Sequence, residues 1–319
     1  MQAMVYTAPL ELQLLEVDDP KPGPGEVLVA VDSVGICGSE LEGFISKSPF
    51  RVPPLIMGHE FAGRRVDDGT PVVVNPLVSC WACDLCLRGL PNVCRNRAII
   101  GIHRPGGFAE LVAVPERNCY ALPEGTSLEV AAVVEPLANA AHAFRLAQQH
   151  DPVPRRVGVI GAGALGYFSA LVAVDRGVED VVIADLAPER RGYAAATGAT
   201  VVERLEGEFD VILDAVGSPQ TRRASIELLR PGGMTIWIGL HGADTGVDGL
   251  EVIRQEKRIL GTFCYEDQDY RAAIAKAATL DDSFLSSRPL AEGVETFYAL
   301  AHGDVRALKT VLRPAASTS

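Results

Sequence analysis

The spacing of apolar positions along this chain changes near Pro123. Before it, short β-branched runs are punctuated by Gly and Pro. Leu10 to Val17 alternates weakly, the turn cluster Lys21-Pro22-Gly23-Pro24-Gly25-Glu26 leads into Val27-Leu28-Val29-Ala30-Val31, and Val72-Val73-Val74 and Ala109 to Val114 follow. Such runs predict strands, here of an irregular, mostly antiparallel β unit reaching to about Ala121. Beyond Pro123 the pattern turns helical: Ser127 to Gln149 is Ala-rich, with Pro136 breaking or starting a helix. His150-Asp151-Pro152-Val153-Pro154-Arg155-Arg156 predicts a connection between domains. Strand and helix patterns then alternate: Val157 to Ile160, Tyr167 to Asp175, Val181 to Ala184, Phe209 to Leu213, Gln220 to Leu229, Met234 to Gly239. That alternation predicts a parallel sheet with helices on both faces. From about Arg271 the pattern is helical again, and Leu308 to Leu312 predicts a last strand that belongs back with the first unit.

Length and composition support two soluble domains. A chain of 319 residues is long for one core, and 48% hydrophobic with 22% charged residues is ordinary for a globular protein. A net charge of -12 disfavours nucleic acid and anionic membrane as partners. No basic segment leads into an apolar run at the start, and no apolar stretch is long enough to span a bilayer. Seven cysteines, four of them between Cys80 and Cys94, fit reduced metal ligands in a cytoplasm better than a disulfide framework.

Two cysteine-bearing stretches carry metal chemistry. Cys80-Trp81-Ala82-Cys83-Asp84-Leu85-Cys86 and, seven residues on, Cys94 can close a tetrahedral Cys₄ shell around zinc. A closed shell leaves no room for substrate, so the expected role is structural, and Arg88, Arg95 and Arg97 lie close enough in sequence to offset its charge. The other stretch reads Gly35-Ile36-Cys37-Gly38-Ser39-Glu40-Leu41-Glu42 and then Met57-Gly58-His59-Glu60. Thiolate, imidazole and carboxylate suit Zn²⁺, and three protein ligands leave the open position of a catalytic site.

A third motif binds a dinucleotide. Val157 to Ile160 runs into Gly161-Ala162-Gly163-Ala164-Leu165-Gly166 and then into a helix, the strand–turn–helix context in which the glycines admit a pyrophosphate at a helix N-terminus. Asp185 ends the next strand nineteen residues after Gly166. There it would accept both ribose hydroxyls and repel a 2′-phosphate, which predicts NAD. Val216, Gly217 and Gly239 close later strands at the end where nicotinamide would lie.

With these pieces in hand the chain resembles the zinc-dependent medium-chain alcohol and polyol dehydrogenases over nearly its whole length. The resemblance rests on Gly35 to Ser39, Gly58-His59-Glu60, the four-cysteine lobe, Gly107-Phe108-Ala109-Glu110, Glu135-Pro136-Leu137-Ala138, the glycine fingerprint and Asp185. It implies an α/β protein with a GroES-like β-rich catalytic domain (1–149 and 272–319) around a Rossmann NAD-binding domain (150–271), the active site in the cleft, and a homodimer or homotetramer. It implies a catalytic zinc on Cys37, His59 and either Glu60 or Glu135, a second, structural zinc, and Arg190 near the adenosine ribose. Glu135 replaces the cysteine of the simple alcohol branch and points toward the sorbitol, threonine and galactitol-phosphate branches.

The expected reaction is hydride transfer between a secondary alcohol of the polyol, cyclitol or sugar-acid kind and NAD, with Ser39 taking the hydroxyl proton. Two alternatives are a zinc- and dinucleotide-binding protein that has lost catalysis, disfavoured by the intact ligand set, and an NADPH-preferring carbonyl reductase, disfavoured by Asp185. Departures from the family centre on Glu40-Leu41-Glu42. Glu40 can orient His59. Glu42 stands where a relay histidine is usual, and is expected to contact substrate while water carries the proton. Arg104 and Asn139 are further polar candidates for the pocket.

Overall fold

The computed structural model describes residues 1–46, 48–242, 245, 247–304 and 307–314. It divides into two compact units, Met1–Glu135 with Tyr270–Ser319, and Pro136–Asp269. The helix Val134–His150 therefore contributes most of its length to the second unit, although its sequence continues the Ala-rich run before it.

The first unit is organised by the strand Glu26–Gly35. It pairs antiparallel with Glu60–Arg65, with Leu111–Pro115, and at its far end with the late strand Lys309–Arg313, so the chain's last strand does return to this unit. The sheet continues through Pro71–Val74 to Cys119–Ala121 on one side and to Leu285–Pro289 on the other. Two registers shape the interior of this sheet: Gly35 faces Glu60, and Val311 faces Gly35. A side chain at Gly35 would overlap Glu60 Oε2 and come within 2.8 Å of Lys309 Cε, so the glycine leaves room for two charged groups inside the sheet.

Beyond Gly35 the chain enters the short helix Gly38–Ile45. Its buried face is anchored by Phe44, whose ring meets Phe297 at 5.3 Å and Tyr6 at 5.9 Å, both edge-on. Such contacts add roughly 0.5–1.5 kcal/mol each beyond burial. They hold the first turn of this helix where the strand ends.

The second unit is a six-stranded parallel sheet in the order Thr200–Val202, Asp180–Ala184, Arg156–Ile160, Phe209–Asp214, Leu229–Trp237, Arg258–Gly261. The order reverses at Arg156–Ile160 and Phe209–Asp214, the switch point at which α/β sheets bind ligands. The strands Thr200–Val202 and Arg258–Gly261, of three and four residues, are too short to announce themselves in the hydrophobic pattern.

A charged knot closes this unit on itself. Asp269 is buried, accepts two hydrogen bonds from Arg145, from Nε at 2.7 Å and Nη2 at 2.9 Å, and lies 2.7 Å from His142 Nδ1. Burial pushes the Asp269 carboxyl up, but Arg145 and His142 outweigh it and bring it down to about 2. A carboxyl lowered on folding stabilises the native state above its unfolded value, and that stability is lost as pH falls toward the folded one. Asp269→Asn should therefore cost about 2 kcal/mol at neutral pH. The gap from wild type, followed by urea unfolding, should narrow below about pH 4. A gap that stays constant down to about pH 3 would show that Asp269 acts through packing alone.

Candidate active site

The register Gly35 against Glu60 sets Cys37, two residues past one strand, beside His59, one residue before the other. The ligand-capable atoms of Cys37, His59 and Glu60 all lie within 4.8 Å of one another. Glu40, fully buried in the first helical turn, braces them: its Oε2 accepts from the Cys37 backbone N–H (3.1 Å), and its Oε1 accepts from the Gly58 N–H (2.9 Å) and meets His59 Nδ1 at 2.9 Å. That contact occupies Nδ1 and leaves Nε2 of His59 for a metal.

Electrostatically the pocket is made for a cation. Burial alone would pull His59 down, but Glu40 and Cys37 outweigh it and hold the imidazole well above its ordinary value. Lys309, also buried, forms an ion pair with Glu60 Oε2 and is likewise held above its usual range, burial opposing and Glu60 prevailing. Glu60 Oε1 is buried and has no hydrogen-bond donor among the described residues. A buried carboxylate oxygen left without a partner is costly, and a metal held together with Cys37 and His59 would complete it.

Glu135 lies outside this three-residue group. It is buried within the same unit near Tyr270, whose hydroxyl is pushed up first by burial and then by that carboxylate. Of the two alternatives for the third ligand, Glu60 is the one gathered with Cys37 and His59. Ser39 Oγ donates to Cys37 Sγ at 3.3 Å and accepts from Arg51 Nη2 at 3.3 Å. Glu42, half-buried one turn further along the helix, is not among its partners. Arg104 is tied to Glu26 and the Ala113 carbonyl, as befits a sheet brace. Asn139 is half-buried in the helix Val134–His150, on the part that belongs to the other unit. A groove of about 570 Å³ bounded by Phe50, Val52, His103 and Arg104 contains none of the ligand residues.

Two cations here escaped sequence reasoning. Lys309 had a signal, a lone lysine inside the apolar run Leu308 to Leu312. Arg51 had none: it sits in a Pro-rich loop and is buried by the fold.

The four-cysteine lobe is assembled as its spacing predicts. All four sulfurs lie within 4.8 Å of one another, with Cys80–Cys94 at 3.4 Å and Cys83–Cys86 at 3.6 Å. Backbone N–H groups of Cys80 and Asn96 point at Cys94 Sγ, and those of Cys86 and Arg95 bring the Cys83 thiol down to about 6. Arg95 clamps Asp84 through Nε and Nη2 at 2.7 and 3.0 Å, and Arg97 donates to the Cys94 carbonyl.

In the second unit the glycine loop has the shape of a phosphate cradle. Gly161 has φ +92°, and a side chain at Gly166 would overlap the Gly161 carbonyl, so both glycines serve the turn itself. Gly163 is different: a Cβ there would meet nothing within 4 Å, so only an incoming group requires its absence. Gly163 is the N-cap of Ala164–Asp175, so Ala164, Leu165 and Gly166 form the first turn with N–H groups free for an anion. Asp185 accepts from the Ala162 N–H at 2.7 Å and the Ala187 N–H at 2.9 Å, with Arg190 at 3.7 Å. Turns at Val216–Gly217 and Gly239 touch backbone to backbone: a Cβ at Gly239 would overlap the Val216 carbonyl. The residues present fit a dinucleotide.

Comparison with known proteins agrees with both halves. Residues 23–124 match the alcohol dehydrogenase GroES-like domain, and residues 164–279 match the zinc-binding dehydrogenase domain. L-galactonate-5-dehydrogenase of Escherichia coli (strain K12) is 30% identical over 93% of this chain and 94% of its own. L-threonine 3-dehydrogenase of Chelativorans sp. (strain BNC1) is 33% identical, covering 82% and 83%. Among solved structures, a zinc-binding dehydrogenase of Sinorhizobium meliloti 1021 bound to NADP superimposes with TM-score 0.89 at 28% identity, over 98% of this chain and 99% of the other. With the zinc-ligand geometry in one unit, the dinucleotide cradle in the other, and relatives matching nearly end to end, the chain belongs to the zinc-dependent medium-chain alcohol and polyol dehydrogenases.

Proposed function

We propose that this chain oxidises a secondary alcohol flanked by polar substituents to a ketone, with NAD as hydride acceptor. The observation that carries the reading is the convergence of Cys37, His59 and Glu60 on one point, with Glu60 Oε1 unsatisfied and Ser39 alongside. The names of the relatives add support, since carbon 5 of galactonate and carbon 3 of threonine are both secondary carbinols.

Cys37, His59 and Glu60 would hold the catalytic zinc, and Cys80, Cys83, Cys86 and Cys94 the structural one. When bound, the catalytic metal supplies Lewis acidity that lowers the pKa of an alcohol at its open position. Glu40 keeps the ring of His59 oriented through Nδ1, and Lys309 holds Glu60 in place through its ion pair with Oε2. Ser39 Oγ receives the carbinol proton. Its neighbour Arg51 cannot accept it, and Glu42 is not bonded to Ser39, so water takes the proton onward. In the other unit the first turn after Gly163 would take the pyrophosphate, and Asp185 the ribose hydroxyls, with Arg190 beside it, while Val216 and Gly239 border the nicotinamide end. No described helix is long and apolar enough to cross a membrane. The clustered free cysteines support a reducing cytoplasm, and a homodimer or homotetramer is the proposed assembly.

Metal analysis of gently purified protein should give two zinc ions per chain. Chelation should empty the three-ligand site first, leaving folded, inactive protein. Glu40→Gln should weaken catalytic zinc binding on the order of 10- to 100-fold while sparing the four-cysteine site. One zinc per chain with full activity would overturn the two-site assignment.

NAD should be preferred to NADP, because a 2′-phosphate beside Asp185 meets a carboxylate. Asp185→Ser should erode that preference in a comparison of kcat/KM for the two cofactors. Equal use of both by the wild type would show that Asp185 does not select at the ribose.

A further inference from the structure

Arg51 is a buried cation with almost nothing to bind. It lies in the loop between the helix Gly38–Ile45 and the strand Leu55–Ile56, where its neighbours Phe50 and Val52 are 68% and 69% exposed while Arg51 itself is 7% exposed. The loop turns this one side chain inward. Its slot is provided by Gly43, where a Cβ would meet Arg51 Nη1 at 2.5 Å and Cζ at 3.2 Å.

Within that slot, among the described residues, the guanidinium makes a single side-chain hydrogen bond, from Nη2 to Ser39 Oγ. Its Nε is buried without an acceptor, and no carboxylate of the described residues lies within ion-pair distance. Glu40 feels the charge but spends both oxygens on Cys37, Gly58 and His59. Arg222, the other buried arginine among the described residues, also has an Nε without an acceptor but donates to two carbonyls, those of Gly239 and Gly242, and the half-buried Arg145 has Asp269 and Glu266. Burying a guanidinium without its counter-ion is strongly unfavourable. A fork of donors so placed matches a planar carboxylate in two parallel hydrogen bonds.

Its position says which carboxylate. Arg51 Nη2 is one hydrogen bond from Ser39 Oγ, which is one hydrogen bond from the metal-ligating sulfur of Cys37. A substrate whose carbinol sits at the metal's open position beside Ser39 could reach Arg51 with a group only a few carbons from the reacting carbon. We propose that Arg51 is a specificity-determining residue that binds the carboxylate of a hydroxy-acid substrate, so that the alcohol oxidised by this chain is an acid rather than a neutral polyol. This rests on the alcohol-oxidation reading and narrows it.

The test pairs each hydroxy acid with its neutral counterpart: gluconate with sorbitol, galactonate with galactitol, threonate with threitol, threonine with threoninol. Both kcat/KM with NAD and calorimetric binding to the zinc-loaded, NADH-bound protein are measured for wild type, Arg51→Lys and Arg51→Met. At least one acid should bind and turn over better than its partner in wild type. Arg51→Met should weaken that acid on the order of 10- to 100-fold more than its neutral partner, whose own loss reports the contact with Ser39, with Arg51→Lys between wild type and Arg51→Met. Zinc content and melting temperature, read in parallel, should stay near wild type for Arg51→Lys. Neutral polyols preferred throughout, or equal losses for acid and neutral partner in both variants, would overturn the inference while leaving alcohol oxidation intact. An acid that binds in an Arg51-dependent manner yet is never oxidised would sink the alcohol-oxidation reading and leave the carboxylate site standing.

Discussion

The buried carboxylate of Glu40 is the constraint on which the catalytic geometry depends. One oxygen takes the backbone N–H at the helix start, and the other takes Gly58 N–H and faces His59 Nδ1. A single side chain thus fixes the helix that carries Cys37 and Ser39 to the turn that carries His59 and Glu60. A fully buried carboxylate survives because each oxygen is hydrogen-bonded and its partners outweigh the burial that would otherwise raise it. Removing its partners one at a time would leave a buried charge uncompensated, which is why the arrangement stands or falls as a unit.

The same logic recurs at Glu60. Placing an anion inside a sheet requires a countercharge and space, and the chain supplies both from distant places. Lys309 arrives on the last strand, and Gly35 opposite withholds the side chain that would fill the gap. One carboxylate oxygen is ion-paired with lysine, and the other is buried with no donor among the described residues. The four-cysteine lobe solves a different problem by different means. It has little apolar core, and its order comes from sulfurs gathered around one point and N–H groups aimed at them.

In the dinucleotide-binding unit, the three glycines of one short motif do unequal jobs. Gly161 and Gly166 are demanded by the protein's own backbone, whereas the space at Gly163 is kept for something else. Asp185 holds the loop through Ala162 N–H while presenting a carboxylate at the same end of the sheet, so a residue expected to read the ribose also shapes the cradle. Arg190 stands 3.7 Å from this carboxylate.

Sequence alone determined whatever depends on local spacing. The four cysteines, the glycine turn and the strand and helix periods around it are set by neighbours a few residues apart, so they could be read before any fold was known. Glu40 was also legible, three residues from Cys37, as a partner for His59. What only tertiary structure decided is which distant groups meet. That Glu60 rather than Glu135 lies with Cys37 and His59 follows from the register of Gly35 with Glu60, a matter of strand pairing that no local pattern encodes. The pairing of Lys309 with Glu60 joins positions from opposite ends of the chain. The short strands Thr200–Val202 and Arg258–Gly261 hold too few residues to show a period, and the neighbouring strand they pair with is what defines them. Arg51 is the clearest case: an arginine in a Pro-rich loop carries no mark of burial, and only the fold, by turning its side chain inward over Gly43, makes it a buried charge beside Ser39.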